Sequence, residues 1–170
     1  EMAEIASGYN TDTIMSPVHA ALLSTIVANQ GLLVRPRMVE SIKEEFNDNI
    51  IFPAADKEFE RVLQGEVPSK LAQMMEMTVK EGTAKRSFRT LQRSLRDSLK
   101  IGGKTGSMTG GIPYGKRDWF TVYALPKNVT GGRGISICVM NVNVNRWYVK
   151  SSFLAKEIIQ YYFNRNKHKS

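Results

Sequence analysis

Apolar positions fall into three rhythms along this chain. Between Ser16 and Gly31, the residues Val18, Ala20, Ala21, Leu22, Leu23, Ile26, Val27 and Ala28 form a segment apolar almost all round, the pattern of a helix buried on most sides. Ser16 suits the N-cap, Pro17 the first helical position and Gly31 the C-terminal stop. A second helix opens at Pro68 and Ser69 and carries Leu71, Met74, Met75, Thr78 and Val79 on one face. This methionine-bearing stripe is read as core rather than as a cofactor contact. Gly82 ends the helix, and Thr83 is placed to cap a further helical stretch. The third rhythm is extended, over 99–107, 118–126 and 134–143, with a turn at Gly131-Gly132. Connections this short leave no room for crossover helices, so the three strands should pair antiparallel. The near-continuous run from Ile135 to Met140 predicts a central strand covered on both faces. A last helix from Ser151 or Ser152 places Leu154, Ala155, Ile158, Ile159 and Tyr162 on one side. A short strand is expected over 37–42, and a polar connection over 43–66 with a turn at Asn47-Asp48-Asn49. The predicted architecture is α+β, an antiparallel sheet with helices on both faces, forming a single domain unit over residues 1–170.

Composition agrees with a folded globular piece. The chain has 170 residues and is 42% hydrophobic, enough for one domain with a core. No run of about 18 apolar residues predicts a membrane span, and no signal-peptide pattern opens the chain. The single cysteine, Cys138, lies inside an apolar strand and reads as a packing residue. His19 and His168 stand far apart, which argues against a metal site or a Ser-His-Asp triad. The net charge of +8 concentrates in Lys80, Lys85, Arg86, Arg89, Arg93, Arg96 and Lys100 and again over 165–169. Nucleic-acid sites interleave such cations with stacking aromatics. Phe88 is the one aromatic in the first cluster, so solvated faces or attraction to an anionic cell envelope account better for the charge. The Asn128-Val129-Thr130 sequon reads as a surface loop without a glycan.

Chemistry concentrates in Gly102-Gly-Lys-Thr-Gly-Ser107. In an extended chain Thr105 and Ser107 share one face and Lys104 takes the other. Gly106 leaves the backbone bare for a peptide to approach as an added strand. Two hydroxyls near an ammonium form a site for a carboxylate or another anion. The same letters match the tail of a phosphate-binding P-loop. There the leading glycine would fall at Ser98, and a helix would have to follow where Gly106, Gly110, Gly111 and Pro113 stand. That reading is set aside.

Neighbouring motifs add specificity. Upstream are Ser16-Pro-Val-His with Ala28-Asn-Gln-Gly31, then Met75-Glu-Met-Thr-Val-Lys-Glu-Gly82-Thr83-Ala84; downstream is Asp118-Trp-Phe-Thr-Val-Tyr-Ala124. This order closely resembles the C-terminal half of the penicillin-binding protein transpeptidase domain, from about Ala6 to Phe163. One departure stands out, because that family carries S-x-x-K and S-x-N motifs before its K-T-G. No serine here has lysine three residues on, and no Ser-x-Asn occurs. The chain is therefore expected to be the C-terminal part of a longer protein, holding one wall of an active site without the nucleophile.

The resemblance implies a serine D,D-transpeptidase that cross-links peptidoglycan stem peptides through an acyl-serine and is acylated by penicillin and other β-lactams. Lys104 would be the catalytic lysine, adding positive potential and tying to the serine of the absent S-x-N. Thr105, Gly106 and Ser107 would bind substrate, the hydroxyls holding a terminal carboxylate and the Ser107 N–H serving the oxyanion hole. Trp119 is expected in the core. No metal or cofactor is implied. The expected partners are the D-Ala-D-Ala stem peptide, β-lactams and the missing N-terminal part, with no nucleic acid. The parent is expected to be membrane-anchored, on the outer side of the cell membrane. Two alternatives stay open: a non-catalytic wall-binding or scaffolding module, and a β-lactam sensor or β-lactamase relative. The chain alone is expected to be inactive and to leave an apolar patch uncovered.

Overall fold

A computed structural model describes residues 2–7, 14–39, 41–46, 49–52, 59–127, 133–144 and 149–167. In chain order the elements are α1 (Met2–Ser7), α2 (Pro17–Ala28), β1 (Leu32–Val34), β2 (Ile42–Lys43), β3 (Ile50–Phe52), β4 (Phe59–Arg61), α3 (Val67–Lys80), α4 (Lys85–Phe88), α5 (Arg93–Ser98), β5 (Leu99–Gly110), β6 (Gly115–Pro126), β7 (Ile135–Asn143) and α6 (Ser151–Lys167). The main sheet has the order β5-β6-β7, all antiparallel. Its β5–β6 ladder runs without a register break from Leu99 opposite Pro126 to Gly110 opposite Gly115.

Residues opposite each other share a face of the sheet, and each face has its own cover. Leu99, Ile101, Phe120, Val122 and Ala124 pack with Val79 of α3, Phe88 of α4, Leu95 of α5, and Ala155 and Ile159 of α6. The Phe88 and Phe120 rings meet at 5.8 Å between centroids, tilted by 52°. On the other face Tyr123 packs with Val27 of α2 and Ala72 of α3. Helices thus flank an antiparallel sheet on both sides, as the hydrophobic pattern predicts.

Polar contacts fix the two flanking helices. Ser16 caps α2, its hydroxyl accepting from the His19 N–H at 3.2 Å, and the Thr121 hydroxyl of β6 donates to the Ala20 carbonyl at 2.7 Å. The buried Asp118 carboxylate of β6 accepts the Ser151 N–H at 2.7 Å, supplying an acceptor to a helix N-terminus. Ser151 returns a bond from its hydroxyl to the Asp118 carbonyl at 2.5 Å. Both flanking helices are therefore tied to β6, through Thr121 and Asp118.

Several expectations are corrected. β7 is covered by α2 and α6 on its faces, but among the described residues it pairs with β6 alone and lies at a sheet edge rather than at the centre. The strand expected over 37–42 is reduced to Ile42–Lys43, while β1 forms earlier and stops before Pro36, which cannot donate to a ladder. The polar connection holds two short strands, β3 paired with β2 and β4 paired with β1. Asn47 and Asp48 of the expected turn lie outside the described residues, as do the sequon, Gly131, Gly132 and His168. The basic stretch contains α5, anchored by buried Leu95. Ile158 is exposed, and buried Ser152 and Lys156 take part of the inner face of α6. Cys138 is half-buried, and burial pushes its thiol above the ordinary value.

The helix read as buried on most sides, α2, is buried along one side only. Ala20, Ser24 and Val27 face inward, while Val18 is 64% and Leu23 is 46% exposed.

Tyr123 supplies a stability test. Its ring is fully buried, its hydroxyl has no partner among the described residues, and burial, helped by the Glu76 charge, pushes its pKa up to about 12. Leaving such a hydroxyl unpaired costs about 1–3 kcal/mol. Tyr123→Phe should therefore raise stability by about 1 kcal/mol, seen as a Tm increase of about 2–4 °C in thermal denaturation. Phe120→Ala should lower it by about 3–5 kcal/mol.

Candidate active site

The segment carrying Lys104 lies at the exposed edge of the sheet because the residues before it are clamped. A Cβ on Gly102 would lie 2.5 Å from the Tyr123 hydroxyl, and one on Gly103 would lie 2.5 Å from the tip of the Phe120 ring. Only bare backbone fits beneath these two rings. Beyond Gly103 the strand leaves the core: Lys104 and Ser107 are exposed, and Thr105 and Gly106 are half-buried.

The ladder sets the directions of the side chains. Lys104 stands opposite Thr121, Thr105 opposite Phe120, Gly106 opposite Trp119 and Ser107 opposite Asp118. Thr105 and Ser107 thus share the α6-covered face, and Lys104 takes the α2 face, as the alternation predicts. The Lys104 ammonium donates to the Thr105 carbonyl at 2.7 Å. Trp119 is half-buried.

Thr83 completes the group. Its hydroxyl lies 2.8 Å from that of Thr105, which joins the end of α3 to β5. The expected capping role is not observed, since Ala84 is the N-cap of α4 and no side chain caps it. The turn after α3 explains this: Gly82 N–H bonds to the Met77 carbonyl at 2.8 Å and Ala84 N–H to the Thr78 carbonyl at 3.1 Å. Those backbone bonds close the helix end and leave the Thr83 side chain to reach the strand. The available signal was the hydroxyl of the Gly82-Thr83-Ala84 motif, one residue too early to be a cap.

A carboxylate holds α3 to β5 near this junction. Glu76 meets Lys80 of its own helix at 2.9 Å through one oxygen and Lys100 of β5 at 3.3 Å through the other. Burial alone raises the Glu76 pKa, but hydrogen bonds and charge from Lys80 and Lys100 outweigh it and hold the carboxyl below its ordinary 4.5. Among the described residues, no group of three or more His, Cys, Asp or Glu is placed to hold a metal ion.

An edge strand presenting lysine and two hydroxyls, flanked by helices on both faces, agrees with the comparison to known sequences. The profile of the penicillin-binding protein transpeptidase domain matches residues 1–132. The chain belongs to that family. Solved structures of penicillin-binding proteins share its fold. Penicillin-binding protein 2B of Streptococcus pneumoniae strain R6 aligns with a TM-score of 0.64 at 20% identity, over 88% of this chain and 25% of its own. PBPA of Mycobacterium tuberculosis aligns at 0.61 and 19%, over 89% and 32%. Penicillin-binding protein 3 of the same organism aligns at 0.63 and 17%, over 90% and 36%. The chain thus spans between a quarter and about a third of the length of these penicillin-binding proteins. No curated protein sequence matches it. Among the described residues, no helix is long and apolar enough to cross a membrane.

The depressed Glu76 pKa makes a pH prediction with a definite sign. A carboxyl whose folded value lies below its unfolded value adds stability that is complete above about pH 4.5 and is lost as pH falls through the lower folded value. Glu76→Gln should therefore be less stable than wild type at neutral pH, and the gap should close on acidification below pH 4.5. Urea denaturation at a series of pH values measures it. A gap that stays constant to acid pH would rule out the Lys80–Glu76–Lys100 bridge as its source.

Proposed function

We propose that this chain forms the K-T-G wall of the active site of a serine D,D-transpeptidase, which cross-links peptidoglycan stem peptides ending in D-Ala-D-Ala and is acylated by β-lactams. The observation that carries the reading is a contrast among glycines on β5. Packing forces glycine at 102 and 103, whereas a Cβ on Gly106 would meet only the Trp119 Cβ at an ordinary 3.5 Å. Internal packing therefore gives no reason for glycine at 106. A peptide lying along the exposed edge gives one, because bare backbone lets it approach and bond as an added strand.

The residues divide the chemistry accordingly. Thr105 and Ser107 offer hydroxyl donors to a terminal carboxylate on one face of the strand, with Thr83 holding the Thr105 rotamer. Ser107 N–H would serve as an oxyanion donor, positioned before the reaction by the ladder. Lys104 adds positive potential and, released from the Thr105 carbonyl, would bond to the serine of an S-x-N motif. The nucleophile would come from an S-x-x-K serine, which none of these residues supplies. The family setting supports a site of action on the outer face of the cell membrane, with the anchor in another part of the protein.

The reading is tested with fluorescent penicillin in the longer protein that carries the S-x-x-K serine. Lys104→Ala should slow acylation by about 10²-fold or more, the scale for losing a preorganised electrostatic contact, while Lys167→Ala should change nothing. The 170-residue chain alone should form no adduct that survives denaturation. Equal acylation of wild type and Lys104→Ala would remove Lys104 from the assigned role.

A further inference from the structure

A cavity lies at the other end of β5, away from the exposed segment. Its volume is about 270 Å³, close to the lower limit for small-ligand sites, roughly 300 Å³. The floor is apolar, formed by Val79, Phe88, Leu91, Leu99 and Ile101 of the main core. The rim is cationic. Glu76 engages Lys80 and Lys100, and the Lys127 ammonium donates to the Asp97 carbonyl at 2.9 Å. Lys85, Arg89 and Arg96 also line the cavity, and among the described residues their side chains have no hydrogen bond or ion pair.

Three cationic side chains without a partner over one apolar hollow specify a ligand with two parts. Like charges held together repel, so an anion among them is favoured, and guanidinium groups bind carboxylate and phosphate through paired N–H donors. A simple inorganic anion would gain nothing from the floor, and a neutral apolar molecule nothing from the rim. We propose that the cavity bounded by α3, α4, α5 and β5 binds a soluble anionic amphiphile, with a short apolar body on Leu91, Leu99 and Phe88 and one anionic head at Lys85, Arg89 and Arg96. This site is separate from the Lys104–Ser107 segment, and its test does not depend on acylation.

Octyl phosphate below its micelle concentration, titrated calorimetrically into the chain, is the probe. It should bind saturably at one site, with inorganic phosphate and octyl glucoside at least about tenfold weaker, each lacking one half of the recognition. The double variant Arg89→Glu with Arg96→Glu should lose at least about tenfold in affinity, the scale of one charge-assisted contact, with its Tm and circular dichroism unchanged because both side chains are exposed. Arg133→Glu with Arg165→Glu makes the same change in net charge away from the cavity and should bind like wild type. Equal losses in the two double variants would assign the effect to overall charge and overturn the site. So would inorganic phosphate or octyl glucoside binding as tightly as octyl phosphate. Binding to phosphatidylglycerol vesicles that octyl phosphate fails to displace would assign the cations to a membrane surface, and overturns the proposal too.

Discussion

The seating of two aromatic rings of β6 on the glycine backbone of β5 governs much of this structure. Tyr123 lies over Gly102 from one face and Phe120 over Gly103 from the other, so the strand is gripped immediately before Lys104. Either side chain alone would fix one face. Together they prevent β5 from rotating or sliding, because a shift of one residue would drive a Cβ into a ring and reverse every side chain beyond it. The segment from Lys104 to Ser107 inherits its directions from this clamp. Its own side chains make few contacts, so an unclamped edge strand of this composition would have little to define its register.

A second restraint acts along the strand. Glu76 bridges α3 to Lys100 before the clamp, and Thr83 bridges the end of α3 to Thr105 after it. α3 therefore behaves as a splint beside β5, and the two bridges differ in kind. The Glu76 bridge is ionic and depends on pH. The hydroxyl pair is neutral and rotatable, which suits a residue expected to present its oxygen to a substrate while staying in place.

The sequence made the main sheet and its principal helices readable because their signals were local. Ser16-Pro17 and Gly31 bracket α2, the Met74–Val79 stripe marks α3, and three apolar runs separated by short turns mark β5 to β7. What escaped was set by tertiary contacts. The apolar run in β7 reads as central because both faces are covered, and periodicity reports faces rather than edges. α5 escaped because a six-residue helix dominated by arginine and serine has one deeply buried anchor, Leu95. Thr83 escaped because its partner lies 22 residues on, beyond the reach of any local pattern. The glycines were readable as permissive positions, but which of them are required by packing depended on where Phe120 and Tyr123 put their rings.

Lys104 shows how the proposed site would be ordered before a substrate arrives. Its ammonium rests on the carbonyl of the next residue, a contact made entirely within the strand. A hydrogen bond of this kind contributes only about 1 kcal/mol net where water competes, so an acceptor arriving from outside can replace it at small cost. In the proposed site the backbone is thus the rigid part and the ammonium the adjustable part. That division explains why the tightest packing in β5 falls at Gly102 and Gly103 rather than at the lysine itself.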